Sequence, residues 1–181
     1  MNILCIIPAR GGSKGIPRKN IRHLNGKPLI YYSIQNALSS TYNMDVYVSS
    51  EDEEILNISK KLLAKEHLRK NHFSGDDVTL DPVIYSALCD IEKMESKKYN
   101  YVLTLQPTSP LIKSQTLNNA IQYIIKNQKI DTLISAQKKV HLNWKKEQGK
   151  YIPNYTKRVN RQFLEPLYEE TGGFLITKRN L

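Results

Sequence analysis

Apolar positions along the chain change period several times, and each change marks an element. Ile3–Ile7 is an unbroken apolar run closed by Pro8, the pattern of a strand buried on both faces. From Pro28 to about Ser39 the spacing lengthens, with Leu29, Ile30, Ile34, Ala37 and Leu38 on one stripe. This predicts an amphipathic helix opened by a proline whose φ is already set. Asp45–Ser49 (DVYVS) predicts a second strand. Ser50 and Glu53 have capping-box spacing and precede a helix with Ile55, Ile58, Leu62 and Leu63 facing inward. Asp81-Pro82 reads as an N-cap and a first-turn proline, opening a helix to about Ser96. Tyr101–Leu105 predicts a third strand, and Ser114 caps a helix carrying Leu117, Ile121, Ile124 and Ile125. Thr132–Ala136 is a fourth strand, and Gly172–Ile176 returns to a strand pattern. Between them, 137–170 is polar and basic, with Trp144 and several tyrosines but no clear period. Tyr31, Tyr32 and Tyr85 fall at helical spacing among aliphatics and read as core.

Strands separated by helices imply right-handed βαβ units. The expected fold class is therefore α/β, three-layered, with a mainly parallel sheet covered by helices on both faces. At 181 residues the chain suits one domain with a real core, here 1–181, with an irregular arm at approximately 137–170. In such sheets ligands bind beyond the carboxyl ends of strands, so the loops after the first and third strands share a rim. No stretch approaches the ~18 apolar residues of a membrane span. The start lacks a basic region before its apolar run, so it reads as a strand rather than a signal peptide. Cys5 and Cys89 show no metal-ligand spacing and read as buried, reduced thiols of a cytoplasmic protein. His23, His67, His72 and His141 form no ligand spacing either.

Charge adds a function class. The net charge is +10 and is concentrated in two stretches. Residues 1–44 contain no Asp or Glu but carry Arg10, Lys14, Arg18, Lys19, Arg22 and Lys27. Residues 138–161 hold eight Lys and Arg against Glu147 alone. In the first stretch the cations are interleaved with glycines, in Pro8-Ala9-Arg10-Gly11-Gly12-Ser13-Lys14-Gly15-Ile16-Pro17-Arg18-Lys19-Asn20. Glycines let the backbone approach a phosphate closely, and the exposed N–H groups form an anion-binding concavity. Arg10 and Lys19 add charge from either side. The loop fits neither GxGxxG nor GxxxxGK[ST], which argues against the common dinucleotide and P-loop readings.

This loop resembles the opening of the acylneuraminate (CMP-sialic acid) cytidylyltransferases. Two further motifs continue the resemblance in order: Leu105-Gln106-Pro107-Thr108-Ser109-Pro110-Leu111, and Asn160-Arg161-Gln162 followed by Leu167 to Gly172. The resemblance implies a Rossmann-like nucleotidyltransferase fold that transfers CMP from CTP to an acidic sugar and releases pyrophosphate, with Mg²⁺ as cofactor. It implies that Lys19, Arg10 and Arg161 act in catalysis. Ala9, Arg10, Gly12, Ser13, Asn20, Arg69 and Thr79 would hold the nucleotide, and Gln106 and Arg161 the sugar. It also implies that 137–170 is a dimerisation arm, hence a homodimer. Arg69 is equally readable as a surface arginine, Gln106 as a loop cap, and Arg161 as a residue facing a partner subunit.

The sequence departs from the family in three places. Ile112-Lys113 follows Leu111 where the family has an arginine, and Glu169 stands where many bacterial members have one. The family is also expected to continue past residue 181 with a paired-aspartate metal motif. The metal ligands within 1–181 are therefore unknown, with Asp76 and Asp77 the first to consider, and these residues are expected to bind CTP but turn over poorly. Other acceptors of legionaminic, pseudaminic or Kdo type remain open, as does a non-catalytic nucleotide-binding homologue. An RNA-binding module lacks its aromatic pattern, so neither nucleic acid nor membrane is an expected partner.

Overall fold

Alternation within the first strand decides the architecture. In β1 (Ile3–Pro8), Ile3, Cys5 and Ile7 join one buried cluster, while Leu4 and Ile6 join another. Both faces of the strand are therefore covered. The computed structural model describes residues 1–180. After β1 come a short hairpin, β2 (His23–Leu24) and β3 (Lys27–Pro28), then α1 (Leu29–Leu38). β4 (Asp45–Ser50), α2 (Glu53–Lys61), β5 (Lys65–Leu68), α3 (Leu80–Met94), β6 (Tyr101–Leu105) and α4 (Ser114–Lys126) follow. The chain ends with β7 (Thr132–Lys139), β8 (Trp144–Glu147), β9 (Lys150–Pro153) and β10 (Leu167–Lys178).

The main sheet has the order β5-β4-β1-β6-β10-β7. β1 is parallel to β4 and β6, and β4 is parallel to β5, whereas β10 is antiparallel to β6. Ile30, Ile34, Ile55, Leu117, Ile121 and Ile124 from α1, α2 and α4 cover one face. Ala87, Leu88 and Ile91 of α3 cover the other. The expected three-layer α/β fold is what is found. Among the described residues, no helix is long and apolar enough to cross a membrane.

Several local expectations are corrected. α2 is capped by Asp52, not by Ser50: the Asp52 carboxylate accepts the Ile55 N–H at 3.1 Å. Ser50 cannot take that place because it still belongs to β4, paired with Leu68 of β5. The helix stops at Lys61, so Leu62 is half-buried and Leu63, at φ 70°, is exposed. α3 begins at Leu80 after Thr79, which puts Asp81 and Pro82 inside its first turn rather than at the cap. In α4, Lys113 holds the cap position and Ser114 is the first helical residue. Tyr85 and Cys89 are exposed on α3, whose inward stripe is Val83, Ala87, Leu88 and Ile91. Tyr31 and Tyr32 are half-buried and meet edge to face.

The backbone divides into two compact units, one of Met1–Ile134 with the segment from Gly172 onward, the other of Ser135–Thr171. The second unit has no buried residue. Its β8–β9 hairpin turns through Gln148 and Gly149, both at positive φ, the turn that matches strand twist. Trp144 meets the Tyr155 ring edge-on, and Lys139 pairs with Glu169.

Candidate functional site

The carboxyl ends of β1, β4 and β6 open on one rim of the first unit. A cleft of about 250 Å³ lies there, lined by residues that include Arg10, Ser13, Lys19, Asn20, Arg69, Thr79 and Gln106. Three separated stretches of sequence thus supply one concave surface, as the strand-end rule requires. Phe73, Val78, Leu80 and Val83 give it an apolar side.

The glycine-rich loop is held from below by its neighbours. Ala9 is buried and donates its N–H to Ser49 O at 3.0 Å, which ties the loop's start to the end of β4. Glu51 Oε1 accepts the Gly11 N–H at 2.7 Å, and Asn20 Nδ2 donates to Arg10 O at 2.9 Å. At Gly11 an added Cβ would sit 2.3 Å from Asp52 Oδ2, so any side chain there must displace that carboxylate. Arg18 takes a left-handed conformation (φ 56°) and clasps Asp52 and Glu54 across the loop. That clasp holds the Asp52 carboxyl below its usual range. Gly12 stands in open space, where backbone alone can approach a ligand.

The cations differ in how they are held. Arg10 Nη1 donates to Asp76 Oδ1 at 2.8 Å, and Lys14 Nζ lies 2.6 Å from Asp76 Oδ2. These two cations keep the exposed Asp76 carboxyl below its normal range, the Lys14 contact contributing most. Arg69 is only 6% exposed; its Nη2 donates to Ser49 O at 2.6 Å and its Nε to Ser49 Oγ at 3.3 Å. The surface-arginine reading of Arg69 is therefore wrong. Burial pushes its pKa down, and the Glu51 carboxylate, 3.9 Å from Nη1, opposes that. Lys19 is half-buried at the head of a short 3-10 turn, Lys19–Ile21. Gln106 receives a fixed place from its N–H bond to Gly173 O at 3.0 Å.

Not every expected residue lines this cleft. Arg161 belongs to the second unit, where it lines a recess with Lys138, Val140, Gln162, Leu164 and Pro166. Among the described residues there is no group of three or more His, Cys, Asp or Glu placed to hold a metal. Asp76 is engaged by Arg10 and Lys14, and neither it nor Asp77 belongs to such a group. These residues do not make a Mg²⁺ site of their own. Glu51 and Asp52 are the residues that sequence reading missed. Their signal was available: two carboxylates stand directly at the carboxyl end of the strand beside β1.

Comparison with known proteins gives a consistent result. The cytidylyltransferase family profile matches residues 4–172. A pseudaminic acid cytidylyltransferase of Campylobacter jejuni is 42% identical over 128 residues, covering 71% of this chain and 55% of the relative. An N-acylneuraminate cytidylyltransferase of Streptococcus agalactiae is 33% identical over 187 residues, covering 99% of this chain and 44% of the relative. The chain thus spans about half the length of these curated relatives. In fold, it matches a CMP:2-keto-3-deoxy-manno-octonic acid synthetase solved in complex with CTP, at a TM-score of 0.72 and 17% identity, over 99% of this chain and 75% of that one.

Proposed function

This chain belongs to the cytidylyltransferase family, and from that premise we propose that its cleft binds CTP and serves transfer of CMP to a sialic-acid-like nonulosonic acid. The observation that carries the reading is the convergence of Arg10, Ser13, Lys19, Asn20, Arg69, Thr79 and Gln106 on one cleft. In the proposed reaction the anomeric hydroxyl oxygen of the sugar acid attacks the α-phosphorus of CTP in line. One P–O bond forms to the sugar, the bond to the β-phosphate breaks, and the hydroxyl proton is lost as pyrophosphate departs. Such transfer depends on positioning and on neutralising charge rather than on a covalent intermediate.

Each residue then has a physical task. Arg10, Lys19 and Arg69 meet the triphosphate charge from three sides. Asp76 lies where it must give up Arg10 and Lys14 as the anion arrives. Ser13, Asn20 and Thr79 supply hydrogen-bonding partners around the nucleotide, with Ala9 and Gly12 contributing backbone. Gln106 faces the acceptor. Mg²⁺ is the proposed cofactor, a Lewis acid for the phosphoryl oxygens when bound, although the described residues offer it no cage of ligands. Arg161 and the second unit are proposed to serve a cytoplasmic homodimer; the lack of any buried residue in that unit supports an arm that finds its cover elsewhere.

Calorimetric titration with CTP, UTP, ATP and GTP tests the reading. CTP is expected to bind in preference to the other three, and equal or absent binding overturns the cytidylyl assignment. A panel of acidic sugars given to the whole protein then identifies the acceptor. Pseudaminic acid is the second reading, favoured by the higher identity to the Campylobacter relative over their shared stretch.

A further inference from the structure

The parallel register of β4 and β5 places His67 opposite Ser49. Alternation along an extended strand then puts Arg69, two residues on, on the same face. The outcome is a file of three polar side chains running inward from the cleft. Arg69 Nε donates to Ser49 Oγ at 3.3 Å, and Ser49 Oγ lies 3.0 Å from His67 Nδ1. Because Ser49 Oγ accepts from the guanidinium, its own proton is available for Nδ1. The Asp90 carboxylate facing Nε2 favours the imidazole proton on that side, so Nδ1 is assigned as the acceptor. Nε2 has no hydrogen-bond partner and faces Asp90 Oδ2 at 3.5 Å, a carboxylate shared with Lys70. His67 is 3% exposed, yet nothing in the proposed reaction uses it.

We infer that His67, acting through Ser49, is a positioning residue for Arg69. The inference rests on the proposed function for the identity of the ligand, a nucleoside triphosphate. The physical basis is directional. A serine hydroxyl rotates freely, and an acceptor on its far side biases it to keep its lone pairs toward the guanidinium. Burial disfavours the imidazolium and holds the His67 pKa down, which keeps that acceptor present at neutral pH. Without His67 the hydroxyl can turn, and the Arg69 guanidinium keeps its bond to Ser49 O and the longer ion pair with Glu51.

The test uses the full chain in five forms: native, His67→Val, His67→Asn, Ser49→Ala, and the Val and Ala changes combined. His67→Val is expected to weaken CTP binding about 10-fold, the scale of one lost buried hydrogen-bond partner. In His67→Asn the amide oxygen falls near the Nδ1 position and can accept in its place, so affinity returns to within about 3-fold of native. In the Ser49→Ala background, His67→Val should add nothing, because the path to Arg69 is already broken. A merely structural histidine would give neither the rescue nor the coupling. Native-like CTP affinity in His67→Val, or additive losses in the cycle, overturns the inference.

Should His67→Val not fold, His67→Gln replaces it, since the longer amide reaches toward Nε2 and leaves Ser49 without an acceptor. If the native chain binds inorganic tripolyphosphate but not CTP, the cytidylyl reading fails, and the same cycle run with tripolyphosphate still decides the role of His67. If it binds neither, the Arg69 Nε–H resonance of the ligand-free protein decides. Loss of its exchange protection in His67→Val with retention in His67→Asn supports the inference, and an unchanged signal in both overturns it.

Discussion

Lys19 differs from the other cations of the cleft in being free to move its charge toward a ligand. Arg10 is held by Asp76 and Arg69 by Ser49, whereas among the described residues no carboxylate pairs with Lys19. An unpaired ammonium at the head of the loop is the group best able to follow charge that builds on the transferring phosphate. In the whole protein, Lys19→Ala should therefore lower kcat by about 10²-fold, the scale for losing one preorganised charge partner. The KM for CTP should change much less, because Arg10 and Arg69 still hold the ground-state anion. Steady-state kinetics with varied CTP separates the two, and normal turnover would remove Lys19 from the chemistry. The glycine-rich loop was legible from residue type and composition alone, whereas Gln106 after β6 was singled out by the family resemblance. The burial of Arg69 was not legible, because it depends on which strand lies beside Ser49.

At the level of elements, the glycine-rich loop and the start of α2 form one mechanical unit. Asp52 caps α2, clasps Arg18 and crowds Gly11, so one carboxylate restrains three pieces of chain. Asp52→Ala, which removes the cap together with the solvent-exposed Arg18 clasp, should cost about 1–2 kcal/mol of stability. Gly11→Ala should cost more, since its methyl enters the space of that carboxylate. The two changes share a cause, so the double variant should be less destabilised than the sum of the singles. Urea denaturation of the three variants checks this, and strict additivity would show that Gly11 is required for another reason. The same region shows why β5 escaped sequence reading. Lys65-Glu66-His67-Leu68 buries only His67, so it carries no apolar alternation. It is a strand because β4 offers an unpaired edge, a fact located about twenty residues away. β1, β4 and β6 were legible because each is an apolar run in its own right.

For the whole molecule, acid is the informative stress. Glu92 on α3 has a side chain only 2% exposed, and burial alone would raise its pKa. Hydrogen bonds from Arg179, Lys98 and the Tyr99 N–H outweigh burial and hold it at about 2. Asp45 is likewise held at about 2, against burial, by Lys97, Lys65 and Tyr99. A glutamate in the unfolded chain titrates near ~4.3. The folded value is the lower one, so the stabilisation is complete above about pH 4.5 and is lost as pH falls toward 2. For Glu92 the shift corresponds to roughly 3 kcal/mol. Unfolding midpoints in urea should therefore drop between pH 4.5 and 2.5, and Glu92→Gln should be weaker at pH 7 but show a shallower drop. An unchanged slope in that variant would assign the acid sensitivity elsewhere.

The position of β10 has a consequence for how the chain acquires its structure. β10 lies between β6 and β7, although both precede it in the sequence. During synthesis β5, β4, β1 and β6 can pair as soon as residue 105 has emerged, but β6 then keeps one open edge. That edge stays uncovered until Phe174–Lys178, the residues of β10 that pair with it, arrive after the whole of Ser135–Thr171 has been made. An open strand edge is a template for pairing with another chain. The interval between β6 and β10 is therefore the aggregation-prone phase of folding, and Ser135–Thr171 lengthens it beyond what α4 and the start of β7 require.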